Sequence, residues 1–358
     1  MNKVKVKVIT IHDIGNNYGS TLQACALCDF IEDSGYDVEL IDYKPDYAYN
    51  RGKKATLLKW MLFPRNMYRQ KKLFERYFLD HVKLTRRYTN FEELKSDDSA
   101  DIYVVGSDQL WNEFYNAGRD PAYYLEFTRC TRKLAYSASL GQLHTQEELL
   151  RIQNKTKDFY AIAVRESASV RQLHGIGMNR VQHVLDPVFL QGKDYYVKAD
   201  FKNKFGKYVL VYSVNNDKIM EKTAEVVAKK LRAKIVLVGG FIQNTKHDVY
   251  LRGIGPSEFT NLIYNAEFVI ANSFHATALS IILNKQFGLV LPKNSPLRLL
   301  DMLEVAGIEN RIVESESEIS KIFEIIDYDK VNDRIDILRK KSEIFLRENL
   351  AELAQTIK

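Results

Sequence analysis

Val4, Val6 and Val8 alternate with Lys3, Lys5 and Lys7, and Ile9 and Ile11 extend the run, a period of two that predicts an opening strand. A Gly- and Asn-rich turn follows, then apolar positions at helical spacing over 20–34, then a second apolar run at 38–41, which together make a β-α-β start. Further strands are predicted at 102–105, 133–137, 161–164 and 181–185, with a helical pattern over 146–159 among them. Past a turn-like stretch at 202–207 a second series opens: strand 208–213, helix 219–232, strand 235–238, helix 257–264, strand 268–270, a helix from Phe274 and strand 287–291. The segments 297–305 and 333–355 read as closing helices. Strands alternating with helices imply parallel sheets covered on both faces, so the expected fold is α/β with two doubly wound, Rossmann-like domains. The expected division is 1–200, 201–330 and a closing helix at 331–358. Two such domains in tandem would put a ligand crevice between them, at the carboxyl ends of the strands.

Composition narrows the class without changing the fold. The chain has 358 residues, 46% hydrophobic and 27% charged, with 7 Pro and 17 Gly, which suits a packed core and excludes disorder or a fibrous repeat as the main theme. Three cysteines, Cys25, Cys28 and Cys130, are too few for a disulfide framework, and the start runs straight into a strand pattern, so the expected compartment is reducing cytosol. The C-x-x-C of Cys25 and Cys28 lies inside a helical pattern with no second pair or neighbouring His, which makes it structural and leaves no metal site expected. The uncharged stretch 268–284 holds Asn272, Ser273, His275, Thr277 and Ser280, a content that does not suit a membrane span.

Charge is uneven. Thirteen Lys and Arg against three acids give 44–87 a local charge of +10, leaving −4 for the rest of a chain whose total is +6. The same segment carries Tyr47, Trp60, Phe63, Tyr68, Phe74, Tyr77 and Phe78. Two readings stay open: a solvated helical face with its apolar side on a core, or a surface that meets anionic lipid. Nucleic acid is not expected as a partner, because no nucleic-acid module surrounds the run.

Four segments place unusual polar residues just after a predicted strand. The first, HDIGNNYGSTLQ at 12–23, offers Gly15 and Gly19 for close backbone approach and Ser20 or Thr21 as a helix cap facing an anion, or else is a plain turn. Its G-x-x-x-G spacing fits neither a dinucleotide fingerprint nor a Walker loop. The second, GSDQLWN at 106–112, sets Ser107, Asp108, Gln109 and Asn112 beside the Trp111 indole, the polar-plus-aromatic chemistry of sugar recognition. In the third, Arg165 at a strand end forks either onto a ligand carboxylate or phosphate or onto Glu166 or another acid. Downstream, Asp186 before Pro187 either points at the crevice or caps a turn. The fourth, ANSFHATALS at 271–280, puts Ser273 at an N-cap position and His275 in the first helical turn, with the small Ala276 beside it, an anion site with an acid-base group built in.

Taken in order, NNYGSTLQ, GSDQLWN, VRE followed by LDP, and SFHATALS with NKQF behind it resemble the polysaccharide pyruvyl transferase family. The resemblance spans most of the chain and departs at Ala276, where the family usually has Gly. It implies a two-domain fold similar to the glycosyltransferase B type, with a C-terminal helix that crosses back to the first domain. It also implies transfer of a pyruvate from phosphoenolpyruvate onto two hydroxyls of a sugar as a cyclic ketal, with no cofactor or metal. On that reading Arg165, Ser273, Ala276, Thr277 and Lys293 bind the donor, and His275 is the acid or the catalyst on the phosphate side. Asp108 is a base or acceptor ligand, and Tyr18, Ser20, Gln109, Trp111 and Asn112 contact the acceptor. The acceptor implied is a cell-surface polysaccharide or its lipid-linked oligosaccharide precursor. The place implied is the cytoplasm or, if 44–87 meets lipid, the inner face of a membrane. Two other readings stay open: a nucleotide-sugar-dependent glycosyltransferase, and a non-catalytic subunit of polysaccharide assembly.

Overall fold

The computed structural model describes residues 3–12, 17–45, 47, 61–213, 217–239, 245–292 and 296–357. Seven parallel strands make the first sheet: β1 (Lys5–Ile9), β2 (Asp37–Tyr43), β3 (Leu84–Tyr88), β4 (Ile102–Val105), β5 (Lys133–Ala138), β6 (Ala161–Val164) and β7 (Gln182–His183). Their order is β3-β2-β1-β4-β5-β6-β7, with Val6 opposite Val38 on one side and Ile102 on the other. The second sheet is β8 (Tyr208–Ser213), β9 (Lys234–Gly239), β10 (Val249–Leu251), β11 (Phe268–Ala271) and β12 (Phe287–Leu289), all parallel in the order β10-β9-β8-β11-β12. The longer helices are α1 (Tyr18–Asp33), α2 (Pro64–His81), α3 (Gln146–Thr156), α4 (Ser167–Gly175), α5 (Lys218–Leu231), α6 (Pro256–Asn265), α7 (Phe274–Ile282), α8 (Leu297–Ala306) and α9 (Tyr328–Gln355). Two parallel-sheet α/β domains are therefore present, as the alternating pattern predicts.

Central strands are buried on both faces, which is why 102–105 and 268–271 read as unbroken apolar runs. The alternating lysines of β1 suggest one wet face, but Lys7 is buried. Its ammonium ion-pairs with Asp97 and donates to Ser99 Oγ at 2.7 Å, which compensates its loss of water. Two strands escape the pattern: β3, LTRRY, is a polar edge strand, and β10 is only three residues long.

The chain forms two compact units, 1–57 with 78–191 and 337–358, and 58–77 with 192–336. Against the sequence boundaries, 58–77 belongs to the second unit, the break falls after 191 where 200 was expected, and the closing helix passes to the first unit from 337. The segment 58–77 joins the second unit because Asn66 Nδ2 donates to the Arg252 carbonyl at 3.3 Å and Arg69 Nη1 to the Gly253 carbonyl at 2.6 Å. The end of α9 joins the first unit because Ser342 Oγ accepts the Leu185 N–H at 2.9 Å, Phe345 lies 6.4 Å from the Tyr136 ring and Arg347 covers Phe30.

Candidate active site

In each unit the strand order reverses beside the first strand, between β1 and β4 and between β8 and β11, and open α/β sheets hold ligands at the carboxyl ends of such a switch point. Tyr18, Ser20 and the residues 107–112 follow β1 and β4 at the first of these places and Ser273 to Thr277 follow β11 at the second, while Arg165 lies at the end of β6.

In the first unit, α1 is capped by Asn17, whose Oδ1 accepts the Ser20 N–H at 3.2 Å. The cap is thus Asn17 and neither Ser20 nor Thr21, and the helix starts at Tyr18 instead of 20. Released from capping, the buried Ser20 hydroxyl donates to Asp108 Oδ2 at 3.2 Å. Gly106 lets α1 lie this close: a Cβ there would stand 3.0 Å from Thr10 and 3.1 Å from Leu27 side-chain atoms. Gln23 ties the corner together, its Nε2 donating to Thr10 Oγ1 and the Ile11 carbonyl, both at 3.0 Å. Asp108 has a φ of 84°, a left-handed conformation that costs a non-glycine residue about 1–3 kcal/mol and is characteristic of functional sites. Its own turn and the residue after β5 hold it there: Oδ1 accepts the Gln109 N–H at 2.8 Å and its carbonyl the Ser139 N–H at 3.0 Å.

Three sequence expectations need correction here. Trp111 is no sugar platform. Its side chain is fully buried, stacked on Tyr124 with ring centres 5.7 Å apart, and its indole N–H donates to the Tyr123 carbonyl at 3.0 Å. Asn112 is also fully buried, its Nδ2 donating to Gln109 Oε1 at 2.8 Å and its Oδ1 accepting the Phe114 N–H. Gly141, with a φ of 74°, makes room for that pair, since a Cβ would reach 2.5 Å from Gln109 Oε1. Of the proposed acceptor-side residues in this loop, Asp108 and Gln109 are partly exposed. Arg165 is 4% exposed and does not present an open fork. Nη1 donates to Asp186 Oδ2 at 2.7 Å, and Nε lies 3.4 Å from Glu166 Oε1. Ser107 Oγ donates to the same Asp186 oxygen at 2.8 Å, while Asp186 Oδ1 accepts the Val188 N–H, so Asp186 caps the turn Pro187–Leu190. Burial opposes the Arg165 charge, but the carboxylates of Asp186, Glu166 and Asp108 outweigh it and hold the guanidinium more firmly protonated than usual.

A buried His12–Asp42 pair beside this corner had no sequence signal beyond the position of His12 after β1. His12 Nε2 meets Asp42 Oδ1 at 3.0 Å, and its ring stacks on Phe78 at 5.6 Å. Burial alone would raise the Asp42 carboxyl, but the His12 hydrogen bond and charge, with Arg87, pull it down to about 2. The folded value lies below the unfolded one, so the contribution is full above about pH 4 and is lost as the pH falls towards 2. Asp42→Asn is expected to remove about 2.5 kcal/mol of this acid-sensitive stability, read as a flatter dependence of melting temperature on pH over that window.

In the second unit, Ser273 occupies the N-cap of α7, as expected, but its side chain makes no capping bond. The first turn, Phe274 to Ala276, puts the positive end of the helix dipole at the end of β11. His275 is in that turn, 9% exposed, its ring edge-on to Phe274 at 5.1 Å. Ala276 and Thr277 are fully buried, and the Thr277 hydroxyl donates back to the Ser273 carbonyl at 2.9 Å, so the Thr277 side chain is not presented to a ligand. Lys293 lies outside the described residues. A cation that the sequence reading passed over is Arg298, in the first turn of α8, whose guanidinium carbon lies 5.8 Å from the Phe274 ring centre. Its one sequence signal is its place five positions beyond Lys293. Cys25 and Cys28 are buried inside α1, where burial first and neighbouring charges second push both thiols up. Among the described residues no cluster of three or more His, Cys, Asp or Glu is placed to hold a metal ion, and no helix is long and apolar enough to cross a membrane.

The family model described as polysaccharide pyruvyl transferase matches residues 17–294. No curated protein matches the sequence. Among solved structures, the chain is similar to UDP-N-acetylglucosamine 2-epimerase from Rickettsia bellii, at 12% identity over 99% of each chain and a TM-score of 0.57. It is similar to the UDP-GlcNAc 2-epimerase of Methanocaldococcus jannaschii, solved in complex with UDP-GlcNAc and UDP, at 14% identity over 98% of this chain and 100% of that one, with a TM-score of 0.56. The trehalose-6-phosphate synthase OtsA matches at 9% identity over 99% of each chain, with a TM-score of 0.54. Likeness at such identities shows the fold alone, the two-domain glycosyltransferase B arrangement.

Proposed function

The chain belongs to the polysaccharide pyruvyl transferase family, and on that premise we propose that it moves the enolpyruvyl group of phosphoenolpyruvate onto two hydroxyls of one sugar, closing a cyclic ketal and releasing phosphate. The observation that carries this reading is His275 in the first turn of α7 at the second switch point, with Arg298 beside Phe274. A donor with a carboxylate and a phosphate calls for helix N–H groups and a cation, and both are at hand there. Protonation of the methylene carbon makes C2 electrophilic, one sugar hydroxyl adds to it, and a second hydroxyl displaces phosphate. His275 serves as the acid or as the phosphate-side catalyst. On the acceptor side Asp108 is the base or an acceptor ligand, with the Ser20 hydroxyl donating to it and Tyr18 and Gln109 nearest in sequence. Lys293, five positions before Arg298, belongs to the same donor set.

The test is release of inorganic phosphate from phosphoenolpyruvate that depends on an added glycan acceptor, with pyruvate recovered on the glycan. Consumption of a nucleotide sugar with phosphoenolpyruvate left intact would assign the chain to glycosyl transfer instead.

The acceptor we propose is a lipid-linked oligosaccharide, met at an anionic membrane surface. Support comes from α2, where Met67, Phe74, Tyr77 and Phe78 are buried while Arg65, Tyr68, Lys72, Arg76 and Leu79 are exposed, with Met61 and Leu62 exposed just ahead. Arg69 is taken by Glu258 and Lys71 by Glu75, so the outward charge rests on Arg65, Lys72 and Arg76. Each is worth about 1 kcal/mol near an anionic bilayer. Trp60, Lys53 and Lys54 lie outside the described residues. Co-sedimentation with phosphatidylglycerol vesicles at low salt is expected, and with phosphatidylcholine vesicles is not. Reversal of the three charges to Glu should abolish it, and equal binding to both lipids would remove the membrane from the proposal.

A further inference from the structure

We propose that a cavity of about 650 Å³ at the carboxyl edge of the first sheet, walled by Tyr43, Tyr47, Phe91, Asn116, Arg119 and Asp120, binds a saccharide unit that carries an anionic group. If the chain is a pyruvyl transferase, the reading on which this step rests, that unit is the part of the acceptor glycan next to the sugar that reacts.

The floor of the cavity is a carboxylate fixed in one orientation. Asp120 is 7% exposed, its Oδ1 accepts the Ala122 N–H at 2.9 Å, and its Oδ2 accepts the Tyr43 and Tyr47 hydroxyls at 2.8 and 2.5 Å. Burial first and the Asp120 charge besides push both phenols well above their usual range, so both stay protonated and donate to Asp120. Each phenol oxygen keeps lone pairs that can accept from a ligand hydroxyl. The phenol rings, Phe91, Pro45 and Pro121 supply apolar surface for the C–H face of a sugar ring. Asn90 also lines the space, but its side chain caps a helical turn at Glu93 and is spent. The volume falls within the range of small-molecule sites, and the mix of a few fixed polar groups with aromatic walls is that of a polyol site.

The preference for an anion comes from the rim. Arg119 is exposed and lines both this cavity and a neighbouring recess of about 280 Å³, shared with Glu113, Arg151 and Lys155. Arg151 is taken by Glu113 and Glu147, each at 2.6 Å, and Lys155 by Glu126 at 3.6 Å, so the charge offered at the rim rests on Arg119, which has no acid partner among the described residues. A carboxylate or phosphate on the saccharide would meet the Arg119 fork there.

The cavity also adjoins the Asp108 corner. Tyr123 stands edge-on to Tyr43 at 5.9 Å, its carbonyl accepts the Trp111 indole N–H, and its phenol is raised by burial and then by the charges of Asp120 and Asp108. The buried Trp111 therefore joins the loop that carries Asp108 to the loop that walls the cavity.

Saturation-transfer NMR on the full chain tests this with three soluble probes: methyl glucuronide for a carboxylate, galactose 6-phosphate for a phosphate and methyl galactoside as the neutral control. Transfer to one or both anionic probes, above the neutral one, is expected. Arg119→Gln and Asn116→Ala, both at exposed positions, should leave the melting temperature unchanged, whereas the near-isosteric Tyr47→Phe, which takes one donor from the buried Asp120, should lower it modestly. Arg119→Gln should weaken the anionic probe about tenfold, the worth of one charge-assisted hydrogen bond. Relative preference for the carboxylate or the phosphate probe identifies the group on the glycan. No transfer to either anionic probe, or equal transfer in wild type and all three variants, overturns the proposal. The readout needs no turnover, so saccharide binding without phosphoenolpyruvate consumption would sink the pyruvyl-transfer reading and leave the cavity standing.

Discussion

His275→Ala is expected to lower acceptor-dependent phosphate release by ~10²–10⁴, the usual loss when a general acid is removed. The residue combines three conditions that seldom coincide by accident: a strand end at a switch point, the first turn of a helix, and a titratable ring next to a cation-bearing helix start. The fold should survive, because the side chain lies at the margin of the core and the helix around it is fastened by Thr277 and Ser280 to the carbonyls one turn back. A second variant separates the two roles. His275→Gln keeps hydrogen-bonding capacity without a transferable proton, so a pure acid loses as much rate in Gln as in Ala, whereas a phosphate ligand retains most of its rate in Gln. Wild-type turnover in both variants would remove His275 from the mechanism.

The parallel α/β plan could be read from the sequence because its central strands are buried on both faces. Runs such as 102–105, 161–164 and 208–212 are apolar without interruption, and the structure places β4, β6 and β8 on those residues. Edge strands carry no such pressure, and β3 with its Thr85, Arg86 and Arg87 looks like a loop until β2 is there to pair with it. At the site, the positions after strands were legible, whereas what each side chain faces was not. Trp111 among four polar neighbours suggests a sugar platform, and only the tertiary packing of Tyr124 and Phe159 around it makes it core. The cap of α1 could have been found, since Asn17 precedes the helix at the right spacing, but the apolar period starts later and drew the boundary to 20. Arg298 and the His12–Asp42 pair depend on partners distant in sequence, and no single-chain pattern announces them.

Arg165 shows the same limit and gives the largest expected effect on stability. Arg165→Met keeps most of the side chain's volume and removes its charge, leaving Asp186 and Glu166 in a dry corner. Breaking a buried pair in this way costs about 3–5 kcal/mol, because the carboxylate left behind has lost both water and partner. For a unit of this size that is roughly 6–20 °C in melting temperature. Glu166 is the better protected of the two acids, since it also accepts from Ser139 Oγ, from Ser169 Oγ at 3.2 Å and from the Leu140 N–H. Asp186 also accepts from Ser107 Oγ and the Val188 N–H, but its contact with the guanidinium, 2.7 Å against 3.4 Å for Glu166, is the closer of the two, so most of the loss should come from it. A cycle with Asp186→Leu measures this: the double variant should be more stable than Arg165→Met alone, because removing both charges costs less than stranding one. Arg165→Lys should fall between wild type and Met, its single ammonium able to satisfy Asp186 or Glu166 but not to span both. A melting temperature unchanged in Arg165→Met would mean that the guanidinium is not holding these acids, and would return Arg165 to the donor role that its place at the end of β6 first suggested.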